Sequence, residues 1–220
     1  MSDHRPARLL LPAAAAALAL LFGATACGGD DSASSTTAPA TSAPSPTAAA
    51  GGSGDQAGGV HNSIDVAFAQ GMIPHHAQAV EMSELAATNT SNPEVQALAT
   101  EIVAAQGPEI ELMTEWLTAW GAEVPDPEAS MAENMEMAGG MMMSGMISES
   151  DFEKLRAARD AEFDRLYLEL IILHHDGAIE MAQQELDGGD SPEAKELAQQ
   201  IIDVQQAEIT RVEALLGQAG

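Results

Sequence analysis

From Asn62 onward, apolar residues recur in steps of three and four, the spacing of amphipathic helices. Ile64, Ala67, Phe68, Met72, Ala79, Met82 and Ala86 mark a first helix from about Ser63 to Thr88. Asn92 followed by Pro93 is helix-start chemistry. Val95, Leu98, Ala99, Ile102, Ile110, Met113, Leu117 and Trp120 carry that second helix to Gly121. A third is expected from about Glu149 to Leu186, ended by Gly188-Gly189. A fourth opens at Ser191-Pro192 and carries Leu197, Ile201, Val204, Ile209, Val212 and Leu216. Alternating β-branched runs and hairpin dipeptides are missing from this stretch, so the pattern predicts an all-α fold.

Those helices form two matching halves. Asp65–Leu117 aligns with Asp164–Leu216 at a constant offset of 99 residues, without gaps. Identical pairs include His75 and His174, His76 and His175, Ala79 and Ala178, Met82 and Met181, Pro93 and Pro192, and Ile102 and Ile201. One helical hairpin cannot bury its apolar stripe alone. Two related hairpins predict a four-helix bundle with approximate two-fold symmetry over residues 62–217. Packing accounts for the repeated Leu and Ile. It does not account for the repeated Asp65/Asp164, His-His, Glu-Met and Gln106-x-x-Glu109/Gln205-x-x-Glu208.

Hairpin geometry brings His76 and Gln106 to similar depth, and likewise His175 and Gln205. Each hairpin therefore contributes His, Met, Gln and a carboxylate to one layer. Adjacent histidines lie about 100° apart around a helix, so a pair cannot converge on one central point. Which member of each pair faces inward is left open by the spacing. Neutral imidazole suits copper, zinc, iron and nickel, and a thioether favours Cu(I). Bundle interiors are common places for such sites. The competing reading is a hydrogen-bonded polar layer that only fixes helix register.

The chain outside the helices changes the picture further. Arg5 and Arg8 precede an apolar run, Leu9–Phe22, too short for the roughly 20 residues of a spanning helix. Small residues, Gly23-Ala24-Thr25-Ala26, then lead to Cys27. This pattern predicts an export signal over residues 1–26, resembling a bacterial lipobox, with Cys27 lipidated. Residues 27–61, rich in Gly, Ser, Thr, Ala and Pro, read as a flexible tether. The domain is thus expected on the outer face of a bacterial cell membrane, attached only through its lipid. Between the second and third helices lies an acidic loop, residues 122–148. Met131, Met135, Met137, Met141, Met142, Met143 and Met146 are seven of the chain's 12 methionines. Thioethers without thiols suit Cu(I) outside the cytoplasm, and an adaptable apolar surface is the plainer reading.

Across 220 residues there are 34 Asp and Glu but 8 Lys and Arg, a formal charge of −26. No basic residue lies between Arg8 and Lys154. This charge argues against nucleic acid and disfavours anionic lipid surfaces as partners, and it favours cations. The single cysteine excludes an intramolecular disulfide and any CxxC site.

The segment "FAQGMIPHHAQAVEM" with Asp65 before it, "QGPEIELMTEWL" from Gln106, and "LHHDGAIEMA" in the second half resemble the domain-of-unknown-function-305 family. The resemblance spans about Asn62 to Gly217. It implies a ferritin-like helical fold, a secreted or envelope location, and for some members copper binding through Met and His. Carried onto this chain, it points to Met72, His75, His76, Met82, His174, His175 and Met181. Gln106, Glu109, Gln205 and Glu208, with Asp65 and Asp164, would then support the ligands from behind. Met72 is matched by Ile171, so the halves differ as soft-metal sites. The Met-rich loop lies outside the family's core motif. Ferritin-like also raises a di-iron oxidase, whose chemistry uses E-x-x-H on facing helices; that motif occurs nowhere in the chain. The expectation is a copper-binding protein for sequestration or delivery, not an enzyme. A non-metal helical interaction module and a metal oxidase are the alternatives. Two similar halves could also pair with a second copy of the chain.

Overall fold

The computed structural model describes residues 59–126 and 144–218. They form six helices: α1 (Ser63–Glu84), α2 (Ala86–Asn89), α3 (Pro93–Trp120), α4 (Glu149–Ala157), α5 (Asp160–Gly188) and α6 (Pro192–Gln218). No strand occurs among the described residues. The long helices are the expected four, arranged as two hairpins. α1 packs on α3, α5 packs on α6, and the hairpins meet along α1 and α5. The expected export signal, Cys27, the tether up to residue 58 and Met131–Met143 lie outside the described residues. Among those described, no helix is long and apolar enough to cross a membrane.

Local chemistry sets the helix ends. Asn62 accepts from the Ile64 and Asp65 amides, and Asp65 returns a bond to the Asn62 amide at 2.6 Å, a reciprocal capping box. Asn92 caps α3 ahead of Pro93. Gly121 closes α3 at φ 68°, the left-handed conformation glycine adopts without strain.

The third expected helix is broken. Ala158 and Arg159 are extended, and Asp160 opens α5 at φ 49°. No Gly or Pro marks the break; side chains stabilise it, one local and one from α2. Asn89 donates to the Leu155 and Arg156 carbonyls, and Arg159 donates to the Arg156 and Ala158 carbonyls. These bonds satisfy the carbonyls freed at the end of α4. The short α4 then buries Phe152 and Leu155 against α1 and α5. The first expected helix is likewise interrupted at Leu85, leaving α2 as a single turn.

The core divides in two. Ala79, Met82, Leu98, Ile102, Phe163, Tyr167 and Ile171 belong to one cluster. Phe68, Met72, Met113, Leu117, Ala178 and Met181 belong to the other. The offset of 99 relates them: Phe68 matches Tyr167, Met82 matches Met181 and Met113 matches Val212. Between the two clusters, midway along α1 and α5, the sequence places the histidines.

Candidate metal centre

All four repeated histidines are fully buried, with 0% exposure. The 100° between neighbours sends them to different partners. His75 and His174 meet where α1 and α5 cross, their ring centroids 3.8 Å apart and tilted by 42°. His76 turns toward α3, where its Nε2 lies 2.7 Å from Glu109 Oε2. His175 does the same toward α6, 2.7 Å from Glu208 Oε2. The inward pair is therefore His75 and His174, while His76 and His175 are held within their own hairpins.

Their partners fix the ring protons. A carboxylate or carbonyl accepts, so the facing nitrogen carries the hydrogen. His76 and His175 donate from Nε2 to the glutamates. His75 donates from Nε2 to the Ser144 carbonyl at 2.9 Å. In all three rings Nδ1 is buried without a hydrogen-bond partner, and in His174 neither nitrogen has one. A donor from one ring nitrogen to a backbone carbonyl or carboxylate, with the other nitrogen bare, is the usual orientation of a metal-ligating imidazole. Each orphaned buried acceptor costs about 1–3 kcal/mol, and a bound ion would offset that cost.

Burial holds the inner pair neutral. It is the largest influence on His75, reinforced by the nearby His76 and His175 and opposed by the Ser144 bond, and it takes the pKa down to about 3. Burial also depresses His174 well below the ordinary range, with His75, His175 and His76 adding to it. The His75 backbone lies near enough to favour charged His174 slightly, but no hydrogen bond closes there. Neutral imidazole is the form that ligates metals.

Ser144 belongs to a strap, Ser144–Ser148, that the sequence did not reveal. Gln78 grips it twice, accepting from the Ile147 amide at 2.8 Å and donating to the Ile147 carbonyl at 3.0 Å. Gly177, which matches Gln78 across the repeat, lets the strap touch α5. A Cβ there would overlap the Ser144 carbonyl, and one on Gly145 would stand 2.6 Å from the Leu173 carbonyl oxygen. Met146, in this strap and partly buried, is the single described methionine of the Met-rich loop.

The methionines separate. Met72 stands within one turn of both His75 and His76. Met82 and Met181 each follow the inner histidine by seven residues, about 10 Å along the helix axis. They are buried core residues and not direct ligands of the His75–His174 contact. Met113, read from the sequence only as core, packs with Met72 and Met181 on one side of the histidines. Its repeat mate, Val212, lies with Ile171 and Met82 on the other side. Thioethers are thus concentrated on one side of the layer.

Two further expectations are corrected. Asp65 and Asp164 do not support the histidines; they join the halves at the bundle ends. Asp65 accepts from the Asp190 and Ser191 amides at the start of α6. Asp164 accepts from the Asn92 side chain at 3.0 Å, at the start of α3. Both lie ten residues from the inner histidines, about 15 Å along a helix. Glu109 and Glu208 do orient imidazoles, but Gln106 and Gln205 do not. Their Oε1 atoms are buried without partners.

Among the described residues, no three His, Cys, Asp or Glu side chains stand together as a ready-made cage. The centre offers pairs of nitrogens and a neighbouring thioether. That donor set suits an ion content with two or three soft ligands better than a tetrahedral or octahedral one.

Comparison with known proteins shows the family and the fold. The family model DUF305, a domain of unknown function, matches residues 65–216. The chain is a DUF305 protein. No curated protein matches it. A DUF305 structure from Streptomyces coelicolor is 32% identical, with a TM-score of 0.64, covering 72% of this chain and 94% of that one. A DUF305 fragment from Deinococcus radiodurans is 31% identical, with a TM-score of 0.62, covering 73% of this chain and 99% of that one. CopM in its Cu(I)-bound form is 29% identical, with a TM-score of 0.56, covering 70% and 96%. CopM has also been seen with Cu(II) and with silver.

Proposed function

We propose that this DUF305 protein binds copper as Cu(I) at the histidine layer, for sequestration or delivery outside the cytoplasm. The observation that carries this reading is the set of bare, buried imidazole nitrogens: Nδ1 of His75, His76 and His175, and both nitrogens of His174. Met72 would add a soft donor beside them. Glu109, Glu208 and the Ser144 carbonyl would hold three rings in the ligating tautomer. CopM, which binds copper and silver, supports the choice of ion. The export pattern of residues 1–26 and Cys27 supports a lipid-anchored envelope location. The Met-rich stretch Met131–Met146 would act as a separate, weaker capture site.

The protein would bind its ion rather than turn it over, since the chain lacks the E-x-x-H of di-iron oxidases. The buried His76–Glu109 and His175–Glu208 bonds favour one rival, a polar layer that only fixes helix register.

Anaerobic Cu(I) titration of the protein, beside a variant with His75, His76, His174 and His175 changed to Ala, decides between them. Circular dichroism checks that the variant stays helical. Tight binding lost in a folded variant supports the copper site. Equal binding in both, or none in either, returns the histidines to structural duty.

A further inference from the structure

Away from the strap, α3 and α6 do not close fully against each other. Between them lies a cavity of about 10 Å³, roughly the space of one water molecule. Its polar lining is two-fold related: Gln106 with Gln205, and Glu109 with Glu208. No Lys or Arg lines it. The neighbouring groove, which shares Val204 and Glu208 with it, holds Arg211, but that guanidinium is paired with Glu101.

The two glutamine amides bring unpartnered acceptors to the cavity. Gln106 and Gln205 are each only 3% exposed, and each Oε1 is buried without a partner. Glu109 and Glu208 give Oε2 to His76 and His175 and keep Oε1 free. Two glutamines and two glutamates therefore border a space the size of one water, whose other lining residues, Ala105, Ile201 and Val204, are apolar. A water could serve the two amides, but it would not balance the carboxylates.

We propose that this cavity is a second cation site, for a hard divalent ion such as Mg²⁺ or Mn²⁺. The ligands are the amide oxygens of Gln106 and Gln205 and the free carboxylate oxygens of Glu109 and Glu208. Water from the groove completes the coordination. Oxygen donors select hard cations, as imidazole and thioether select soft ones. The proposal does not depend on copper binding. The glutamates touch both sites, so filling the oxygen site would stiffen the rings of His76 and His175.

The test is Mn²⁺ titration of the whole protein by electron paramagnetic resonance, in about 0.15 M salt so that diffuse surface attraction is screened. The expected result is one tightly bound Mn²⁺, weakened at least tenfold in a Gln106→Leu/Gln205→Leu variant that remains helical. A Glu109→Gln variant keeps the shape, removes one charge and should also weaken Mn²⁺; it serves if the double variant does not fold. Mg²⁺ should compete for the same site. Equal Mn²⁺ binding in wild type and variants, or none in the wild type, overturns the proposal and leaves the cavity to water. Cu(I) titration of the Gln106→Leu/Gln205→Leu variant, whose glutamines do not orient the imidazoles, keeps the two sites distinct. Mn²⁺ lost with Cu(I) retained is the signature of an independent oxygen site, and Mn²⁺ bound by a protein that ignores Cu(I) would refute only the copper reading.

Discussion

Glu185 offers a sharp test of how the two halves are joined. It is fully buried in α5, and both carboxyl oxygens lack a conventional donor. Its neighbour is Asp65, and Gly189 packs so closely that a Cβ there would overlap the Glu185 carboxyl. Burial, then the proton shared with Asp65 and the charge of that residue, push Glu185 from 4.5 up to about 8. Burial alone would raise Asp65 too. The amides of Asn62, Asp190 and Ser191 and the Glu185 proton overcome that and hold it below the ordinary carboxylate value. The pair thus carries one proton at neutral pH, on Glu185. Between pH 4.5 and 8 the unfolded chain has released that proton and the folded chain keeps it. Folding takes up a proton in this window, so stability falls as pH rises. At about 1.4 kcal/mol per pH unit, the rise from 4.5 to about 8 sets a ceiling near 5 kcal/mol. Glu185→Gln keeps a donor toward Asp65 and removes the titration. Urea denaturation followed by circular dichroism at pH 5, 6, 7, 8 and 9 should show the wild type losing stability relative to the variant. A difference that grows by at least about 1 kcal/mol across the window is expected. Parallel pH profiles for the two proteins would refute the shared proton.

Gly177→Ala should force the Ser144 carbonyl away from α5 and cost about 1–3 kcal/mol; hydrogen exchange at the Ile147 amide should quicken, and unchanged protection would refute the tight seating of the strap. Pro108, exposed within α3, lacks the amide that would bond to the Ala104 carbonyl. Pro108→Ala should stabilise the protein by up to about 3 kcal/mol, read as a higher midpoint in urea, and a lower midpoint would contradict this. Met72→Ile copies the repeat mate Ile171 and should weaken Cu(I) binding with little loss of stability, whereas Met82→Ile should leave Cu(I) affinity unchanged. Competition with a chromogenic Cu(I) chelator measures both, and equal effects would refute the placement of Met72 beside the histidines.

Periodicity and the repeat made the four long helices and their pairing legible. These features rest on apolar stripes that any packing arrangement must respect. The break at Ala158 and Arg159 was hidden because one of its stabilising groups, Asn89, comes from distant sequence. The strap was hidden for a similar reason: Gly177 gives no helix-period signal, and its purpose exists only once Ser144 approaches. Repetition singled out the four histidines, and the structure buries all of them. It also drew Asp65 and Asp164 into the same layer, although they brace the capping residues at the start of a helix in the opposite hairpin. Repetition identifies what both halves need, and a helix cap is such a need as much as a ligand is. Met113 shows the converse, since a residue opposite a Val drops out of any comparison of the halves and its thioether went unremarked.

The join between the hairpins is self-complementary, with His75 meeting His174 about the two-fold axis, as in an isologous dimer. In a dimer of identical hairpins every substitution is made twice. One chain carrying both copies escapes that rule. Position 78 can be a glutamine with two hydrogen bonds for the strap, while its mate at 177 is a glycine with none, and a single strap can then cross the pair in one direction only. Thioethers can likewise gather on one face of the layer. The fused pair keeps the economy of a symmetric core and gains a front and a back, which two identical hairpins could never have.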